Sequence, residues 1–370
     1  MATRSETPIR ILVVGDRFCP SATLRPAFAE LERVAEVTFA DVVDEPDWEP
    51  ATESEHRLRE VIGSPHQVID ALDGHDVLVV QGAPLSEEVF EADPALRLVC
   101  CARGGPVNVD VAAASAHGVP VVITPGKNAD AVAELTIGFL VMLARRLPEV
   151  IRHVEGGGEF GHDNYEGARW FGHDLAGKVL GLVGYGQIGR RVAVRALALG
   201  MRVLVSDPFV DPSVISADSA EPVELATLLG ASDAVSLHAR VTADNHGLVG
   251  RSELARMKRG ALLINTARAT LVDENALVDA LRSGQLGGLA VDLVSPSPAL
   301  GRHPLLAFPN VVITPHIGGA TIETLLHGGE MAAAEIGRYL RGEPLLNVVN
   351  AEALQKSSAT PRHVPSPAGR

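Results

Sequence analysis

Residues 178–191 read KVLGLVGYGQIGRR, an apolar run that passes straight into Gly184-Tyr185-Gly186-Gln187-Ile188-Gly189. The run predicts a buried strand, and Arg190 to Leu199 predicts a helix behind it. In that setting the glycines have separate tasks. Gly184 permits a tight turn, Gly186 lets backbone approach a pyrophosphate, and Gly189 lets the helix pack on the strand, with the helix N-terminus favouring the anion. By itself the pattern is weak in a chain with 36 glycines, because ordinary turns produce it. Asp207 decides the matter: it ends the next strand, eighteen residues past Gly189, where a carboxylate meets the adenosine ribose hydroxyls. A carboxylate there repels a 2′-phosphate, and Pro208, Phe209 and Val210 follow it without an arginine, so the expected cofactor is NAD rather than NADP.

Outward from this motif, Val203–Ser206, Ala234–Leu237, Ala261–Asn265, Leu289–Leu293 and Val311–Thr314 continue the strand series and predict a six-stranded Rossmann domain. Upstream, Ile9–Gly15, a helical stretch at Leu24–Val34, and Val37–Phe39 open a βαβ unit. Val77–Val80, Leu96–Cys101 and Val119–Ile123 repeat the buried-strand pattern. The fold class is therefore α/β, with two doubly wound parallel-sheet domains. Ala129–Arg146 predicts a helix bridging them, Glu155–Asp174 a Gly-rich loop or dimer arm, and Met331–Leu340 a closing helix. The last stretch, Ser357–Arg370, has almost no apolar bulk and predicts a disordered tail.

The length of 370 residues fits two domains, and 46% hydrophobic with 21% charged residues is an ordinary globular composition. A formal charge of −14 argues against an electrostatically driven nucleic-acid binder. Without an uncharged apolar run of about 18 residues no membrane span is expected, and the polar start Met1–Arg10 points to the cytoplasm. Cys19, Cys100 and Cys101 read as buried thiols, and His153, His162 and His173 lack metal-ligand spacing, so no metal is expected. Neither a G-x-S-x-G elbow nor a P-loop lysine is present, which leaves hydrolase and kinase readings without a starting residue.

With Asn108-Val109-Asp110, Val132-Ala133-Glu134, Asn265-Thr266-Ala267-Arg268, Val291-Asp292 and Thr314-Pro315-His316-Ile317-Gly318-Gly319 added to the glycine motif, the chain resembles a known family over residues 8–350. That family is the D-isomer-specific 2-hydroxyacid dehydrogenases, of the D-3-phosphoglycerate dehydrogenase type. The resemblance implies a Rossmann NAD-binding domain (126–316) inserted into a flavodoxin-like substrate domain (1–125 and 317–350), with a tail at 351–370 and a homodimeric assembly. It also implies that Arg268 holds the carboxylate and keto oxygen of a 2-hydroxy or 2-keto acid while His316 donates the proton. Gly184, Gly186, Gln187, Ile188, Gly189, Asp207, Thr266, Ala267, Gly318 and Gly319 would line the cofactor, and Asp292 would bond the nicotinamide amide, with a structural cap as the alternative for Asp292. On the residues alone, Arg268 reads first as a salt-bridged surface side chain and His316 as a helix cap after Pro315, and the family context reverses that order. The division of labour is chemically sound, since a guanidinium keeps its charge and forked donors while imidazole exchanges a proton near neutrality.

Three positions depart from the family pattern. Ser297, before Pro298, stands where the family places the glutamate that bonds the catalytic histidine, so the expectation is that Ser297 or a nearby water orients His316, with a less firmly fixed ring and a weaker proton donor than in relatives. The loop Arg103-Gly104-Gly105-Pro106-Val107 is short and adds a cation among the substrate-gripping amides, which suits an anionic, sugar-derived or phosphorylated acid, or else a local pair for Arg103. Arg240 replaces the common proline beside the adenosine and reads as an exposed side chain. The leading expectation is an NAD-dependent 2-hydroxyacid dehydrogenase. The alternatives are an NAD(H)-sensing scaffold of the corepressor kind and a formate- or phosphite-type dehydrogenase.

Overall fold

The computed structural model describes residues 8–158, 166–294 and 303–356. The chain divides into two compact units, residues 1–127 with 321–370 (unit 1) and 128–320 (unit 2).

Unit 1 holds five parallel strands, β1 (Arg10–Gly15), β2 (Glu36–Asp41), β3 (Val77–Val80), β4 (Leu98–Cys101) and β5 (Val121–Ile123), in the order β2-β1-β3-β4-β5. Every residue of β3 and β4 is buried, which is why they read as unbroken apolar runs rather than alternating ones. Leu12, Val14, Leu78 and Val80 face one core with Val68 and Phe90, while Ile11, Val13, Val77 and Val79 face the other with Phe28 and Ile336. Each such side chain contributes roughly 1.5–3 kcal/mol by leaving water. The three cysteines are free and buried, and burial pushes their thiols up, so they pack as inert apolar groups.

The helical stretch expected at 24–34 is broken into a helix at Ser21–Leu24 and 3₁₀ turns at Arg25–Phe28 and Leu31–Arg33. Pro26 has no N–H to continue an α-helix, and the chain tightens around it. The closing helix is longer than expected, Ile322–Leu340, because Thr321 caps its first turn through Thr324 N and the pair Gly328-Gly329 sits inside it rather than before it. Beyond it the chain runs antiparallel to β5, where Ile123 N donates to Asn347 O (3.1 Å). Asn350 accepts from Val121 N (2.7 Å) and donates to Val119 O (2.9 Å). This anchoring corrects the tail expected from 351: residues Ala351–Lys356 form a helix with Ala353 buried, and 357–370 lie outside the described residues.

Unit 2 holds seven parallel strands, β6 (Val179–Val183), β7 (Arg202–Ser206), β8 (Glu221–Pro222), β9 (Ala234–Leu237), β10 (Ala261–Asn265), β11 (Leu286–Val291) and β12 (Val311–Ile313). Their order is β12-β11-β10-β9-β6-β7-β8. The strand order reverses at β6 and β9, the place where doubly wound sheets open a crevice at their carboxyl ends. The two-residue β8 was too short to carry a periodic signal. The helix expected to bridge the units, now Ala129–Ala144, belongs wholly to unit 2. Ala133, Phe139, Leu140 and Leu143 pack it into the core with Leu180 and Leu182, and Arg195 reaches Asp130 and Glu134 from helix Gln187–Ala198. It stops before the expected Arg146, which is left-handed (φ 55°) and starts the next helix, Leu147–Glu155. Of the expected arm, 166–170 form a 3₁₀ turn and 159–165 lie outside the described residues.

Candidate active and dinucleotide site

β6 delivers the glycine loop at the reversal point. Gly184 has φ +97°, and a Cβ there would lie 2.6 Å from Ala239 N; one on Gly189 would lie 2.3 Å from Gly184 O. A Cβ on Gly186 meets nothing within 4 Å, so the face that a pyrophosphate needs is open, directly before the first turn of helix Gln187–Ala198. Asp207 follows β7 and accepts from Tyr185 N (2.7 Å) and Phe209 N (2.9 Å), one bond on each oxygen, which leaves lone pairs for ribose hydroxyls. These residues fit a dinucleotide. Gln187 is held by Arg191 (2.8 Å), and Ile188 packs on the core.

The loop has supports that the sequence did not reveal. Tyr185 is buried and donates its hydroxyl to Asp218 (3.1 Å), which also pairs with Arg190 (3.0 Å). Burial, then the Asp218 hydrogen bond, push the phenol up to about 12. His238, at the end of β9, lies under the glycines: its Cβ is 3.9 Å from where a Gly189 Cβ would stand, and its Nε2 is 2.9 Å from Ser236 Oγ. Among the described residues its buried Nδ1 has no partner, and burial pushes the imidazole down from 6.5 to about 4. The unfolded chain therefore binds a proton that the folded chain refuses. The contribution of His238 is fully present above pH 6.5 and is lost by up to ~1.4 kcal/mol per pH unit as pH drops from 6.5 toward 4. Thermal melts across that range should show the loss, and the His238→Gln variant should show a flatter dependence; parallel curves would exclude His238 as its source.

β10 ends at the buried Asn265, whose amide staples the next turn by accepting from Ala267 N (3.0 Å) and donating to Arg268 O (2.8 Å). Thr266 is buried, with its hydroxyl 3.0 Å from that of Thr136. Arg268 is exposed and bonds only the Ala267 carbonyl (2.8 Å); among the described residues it has no carboxylate partner. The expected alternative of a salt-bridged surface arginine is not what these residues show.

His316 is exposed and left-handed (φ 57°), a conformation that costs a non-glycine residue about 1 kcal/mol or more. Asp292, at the end of β11, imposes it. Its backbone carbonyl accepts from His316 N (2.8 Å), Oδ1 accepts from Thr314 Oγ1 (2.6 Å) and Ile317 N (2.8 Å), and Oδ2 accepts from Gly318 N (2.7 Å). The carboxylate expected to meet the nicotinamide amide thus lies inside the loop that carries His316, only 1% exposed. Gly319 packs on Asn128, where a Cβ would come 2.9 Å from Nδ2. Ser297 lies outside the described residues. Since all strands of the sheet are parallel, the glycine loop, Asp207, Arg268 and the His316 loop share its carboxyl edge.

In unit 1, Arg103 follows β4 and pairs with the Glu60 carboxylate, while also donating to Glu60 O (3.1 Å), so the local pair left open by the sequence is present. Cβ atoms on Gly104 and Gly105 would meet nothing within 4 Å. Arg240 is exposed, as expected. Among the described residues no group of three or more His, Cys, Asp or Glu could hold a metal, and no helix is long and apolar enough to cross a membrane.

Residues 137–318 match the family described as D-isomer specific 2-hydroxyacid dehydrogenase, NAD binding domain. A glyoxylate reductase of Korarchaeum cryptofilum is 37% identical over 281 residues, 74% of this chain and 81% of that protein. A D-3-phosphoglycerate dehydrogenase of Archaeoglobus fulgidus is 34% identical over 295 residues, 80% of this chain but 55% of that protein. The chain thus spans about half the length of the phosphoglycerate dehydrogenases it matches. A solved structure from Thermus thermophilus is similar with a TM-score of 0.70 at 35% identity, covering 92% of this chain and all of that one.

Proposed function

The chain belongs to the D-isomer specific 2-hydroxyacid dehydrogenase family, and on that footing we propose that it is an NAD-dependent oxidoreductase acting on a 2-hydroxy or 2-keto acid. The observation that carries the reading is the shared carboxyl edge of unit 2, with an open glycine loop, a ribose carboxylate, an arginine without a carboxylate partner among the described residues and a histidine held in a strained loop.

When bound, NAD supplies the hydride chemistry. The backbone of Gly184, Gly186, Gln187, Ile188 and Gly189 holds its pyrophosphate, and Asp207 holds its adenosine ribose. Thr266, Ala267, Gly318 and Gly319 offer backbone to the nicotinamide end. Arg268 takes the acid's carboxylate and 2-oxygen with its forked donors, and His316 passes a proton to or from that oxygen. Arg103, Gly104 and Gly105, which the resemblance assigns to the substrate, lie in the loop after β4 of unit 1, with Arg103 paired to Glu60. Asp292 acts on the chemistry through the His316 loop.

A sensor without turnover needs neither an unpaired guanidinium nor a strained histidine, so catalysis is the better reading. The exposed apolar side chains Leu147, Ile151, Val154 and Phe171 support a homodimer. Three free, buried cysteines suit the reducing cytoplasm.

Loss of NADH absorbance against a panel of 2-keto acids tests the function. Turnover is expected with NADH in preference to NADPH, and Asp207→Ala should narrow that preference by about tenfold or more. Tight NADH binding without turnover would establish the sensor, and NAD reduction by formate or phosphite alone would establish the other dehydrogenase class.

A further inference from the structure

Helix Ala129–Ala144 packs into the unit-2 core through Ala133, Phe139, Leu140 and Leu143, and Thr136, only 1% exposed, is a polar residue buried in that helix. A buried hydroxyl costs free energy unless it is bonded, and threonine is a poorer helix former than alanine or leucine. The bonds of Thr136 go two ways. Its hydroxyl donates to Val132 O (2.8 Å), one turn back in the helix, and lies 3.0 Å from the hydroxyl of Thr266, the residue after Asn265 in the turn that presents Arg268. A hydroxyl has one proton, and that of Thr136 is given to Val132 O. Across the pair, then, Thr266 donates and Thr136 accepts.

The same stripe of the helix meets the His316 loop. Asn128, Val132 and Thr136 recur every fourth residue and so lie one above another. A Cβ on Gly319 would come 2.9 Å from Asn128 Nδ2, and one on Gly318 would come 3.4 Å from Val132 Cγ2. One regular helix, closed at this end by Val132 N on Asn128 O (3.0 Å), therefore touches both the turn that carries Arg268 and the loop that carries His316. Among the described residues the Arg268 guanidinium bonds just the Ala267 carbonyl, so its direction is inherited from the turn. The Asn265 amide ties that turn to itself, and Thr136 ties it to the helix through Thr266.

We propose that this stripe is the frame that spaces the two site side chains, with Thr136 the positioning residue for Arg268 and Val132 the positioning residue for His316. The chemical roles of Arg268 and His316 rest on the dehydrogenase reading; the tie between helix and turn does not.

Amide exchange and turnover, both on the full chain, separate them. Thr136→Val keeps the shape of the side chain but leaves the Thr266 hydroxyl without its acceptor. Exchange at Ala267 N, which closes the turn on Asn265, should then speed up about tenfold or more by NMR, and Thr136→Ser, which keeps donor and acceptor, should exchange like the wild type. In reduction of a 2-keto acid, Thr136→Val should lower kcat/KM about tenfold, through KM as well as kcat, with recovery in Thr136→Ser. Introduced beside Arg268→Met, the same substitution should cost less than a further twofold, because no guanidinium is left to aim. Val132→Ala should lower kcat about tenfold at unchanged KM, since the grip on the acid is intact and the proton donor is displaced. If Thr136→Val does not fold, Thr266→Val breaks the tie without stranding a donor, as Thr136 still bonds Val132 O, and should lower kcat/KM about fivefold. The frame is excluded if the variant that folds exchanges and turns over like the wild type, or if its loss is as large beside Arg268→Met, the mark of a residue that serves stability alone. A rise in KM without a fall in kcat in Val132→Ala also excludes it. If no keto acid turns over, the dehydrogenase reading fails while exchange at Ala267 still decides whether Thr136 holds the turn.

Discussion

Replacing Arg268 by methionine is expected to lower kcat/KM for 2-keto acid reduction by about 10³-fold, with Arg268→Lys recovering little of it. The turn that presents Arg268 is held by the Asn265 amide, and the guanidinium itself bonds only one carbonyl of that turn. Removing it therefore leaves the turn in place, and the Tm and the affinity for NADH should change little. What is lost is a forked, permanently charged donor aimed at a carboxylate and at an oxygen that gains charge as the carbonyl is reduced. An ammonium supplies the charge without the fork. Retention of activity to within tenfold in the methionine variant would remove Arg268 from the chemistry and the dehydrogenase reading with it.

The second large effect is expected at Asp292. A carboxylate accepts from Thr314 Oγ1, Ile317 N and Gly318 N together, whereas an asparagine amide must turn a donor toward one of those donors. Asp292→Asn therefore leaves buried N–H or O–H groups unsatisfied at a cost of about 3 kcal/mol. For a unit of this size that lowers Tm by roughly 6–12 °C. The left-handed His316 is free to relax once its neighbours are released, and kcat should fall by about 10²-fold as the proton donor loses its aim. If Asp292 served only the nicotinamide amide, the variant would instead bind NADH more weakly with Tm and loop intact. Calorimetry of NADH binding alongside a thermal melt distinguishes the two.

The parts of the site that were legible in the sequence are those whose geometry is local. Gly184 to Gly189 form a turn between a strand and its own helix, so residue type and spacing suffice. Asp207 was legible because one βα unit brings it beside the loop, and its bond to Tyr185 N realises that spacing. Asp292 was identified as a site residue but not by its contacts. Which donors its carboxylate meets depends on how β12 returns beside β11, a register that spacing does not encode. Arg103 reads as a cation for substrate until Glu60, forty-three residues away, is brought to it.

What the sequence by itself determined, then, is the α/β alternation, the two parallel sheets, the dinucleotide loop with its ribose carboxylate, and the family motifs bearing Arg268 and His316. Hydrophobic runs and glycine conformations act over a few bonds, and those interactions are present in the chain before it folds. Only the tertiary structure decided which charges are paired, which are left open, and that Asp292 bends the histidine loop into its left-handed form. Charge pairing and buried hydrogen bonds are made across strands distant in sequence, and their energies exist only once water has been excluded from the groups that meet.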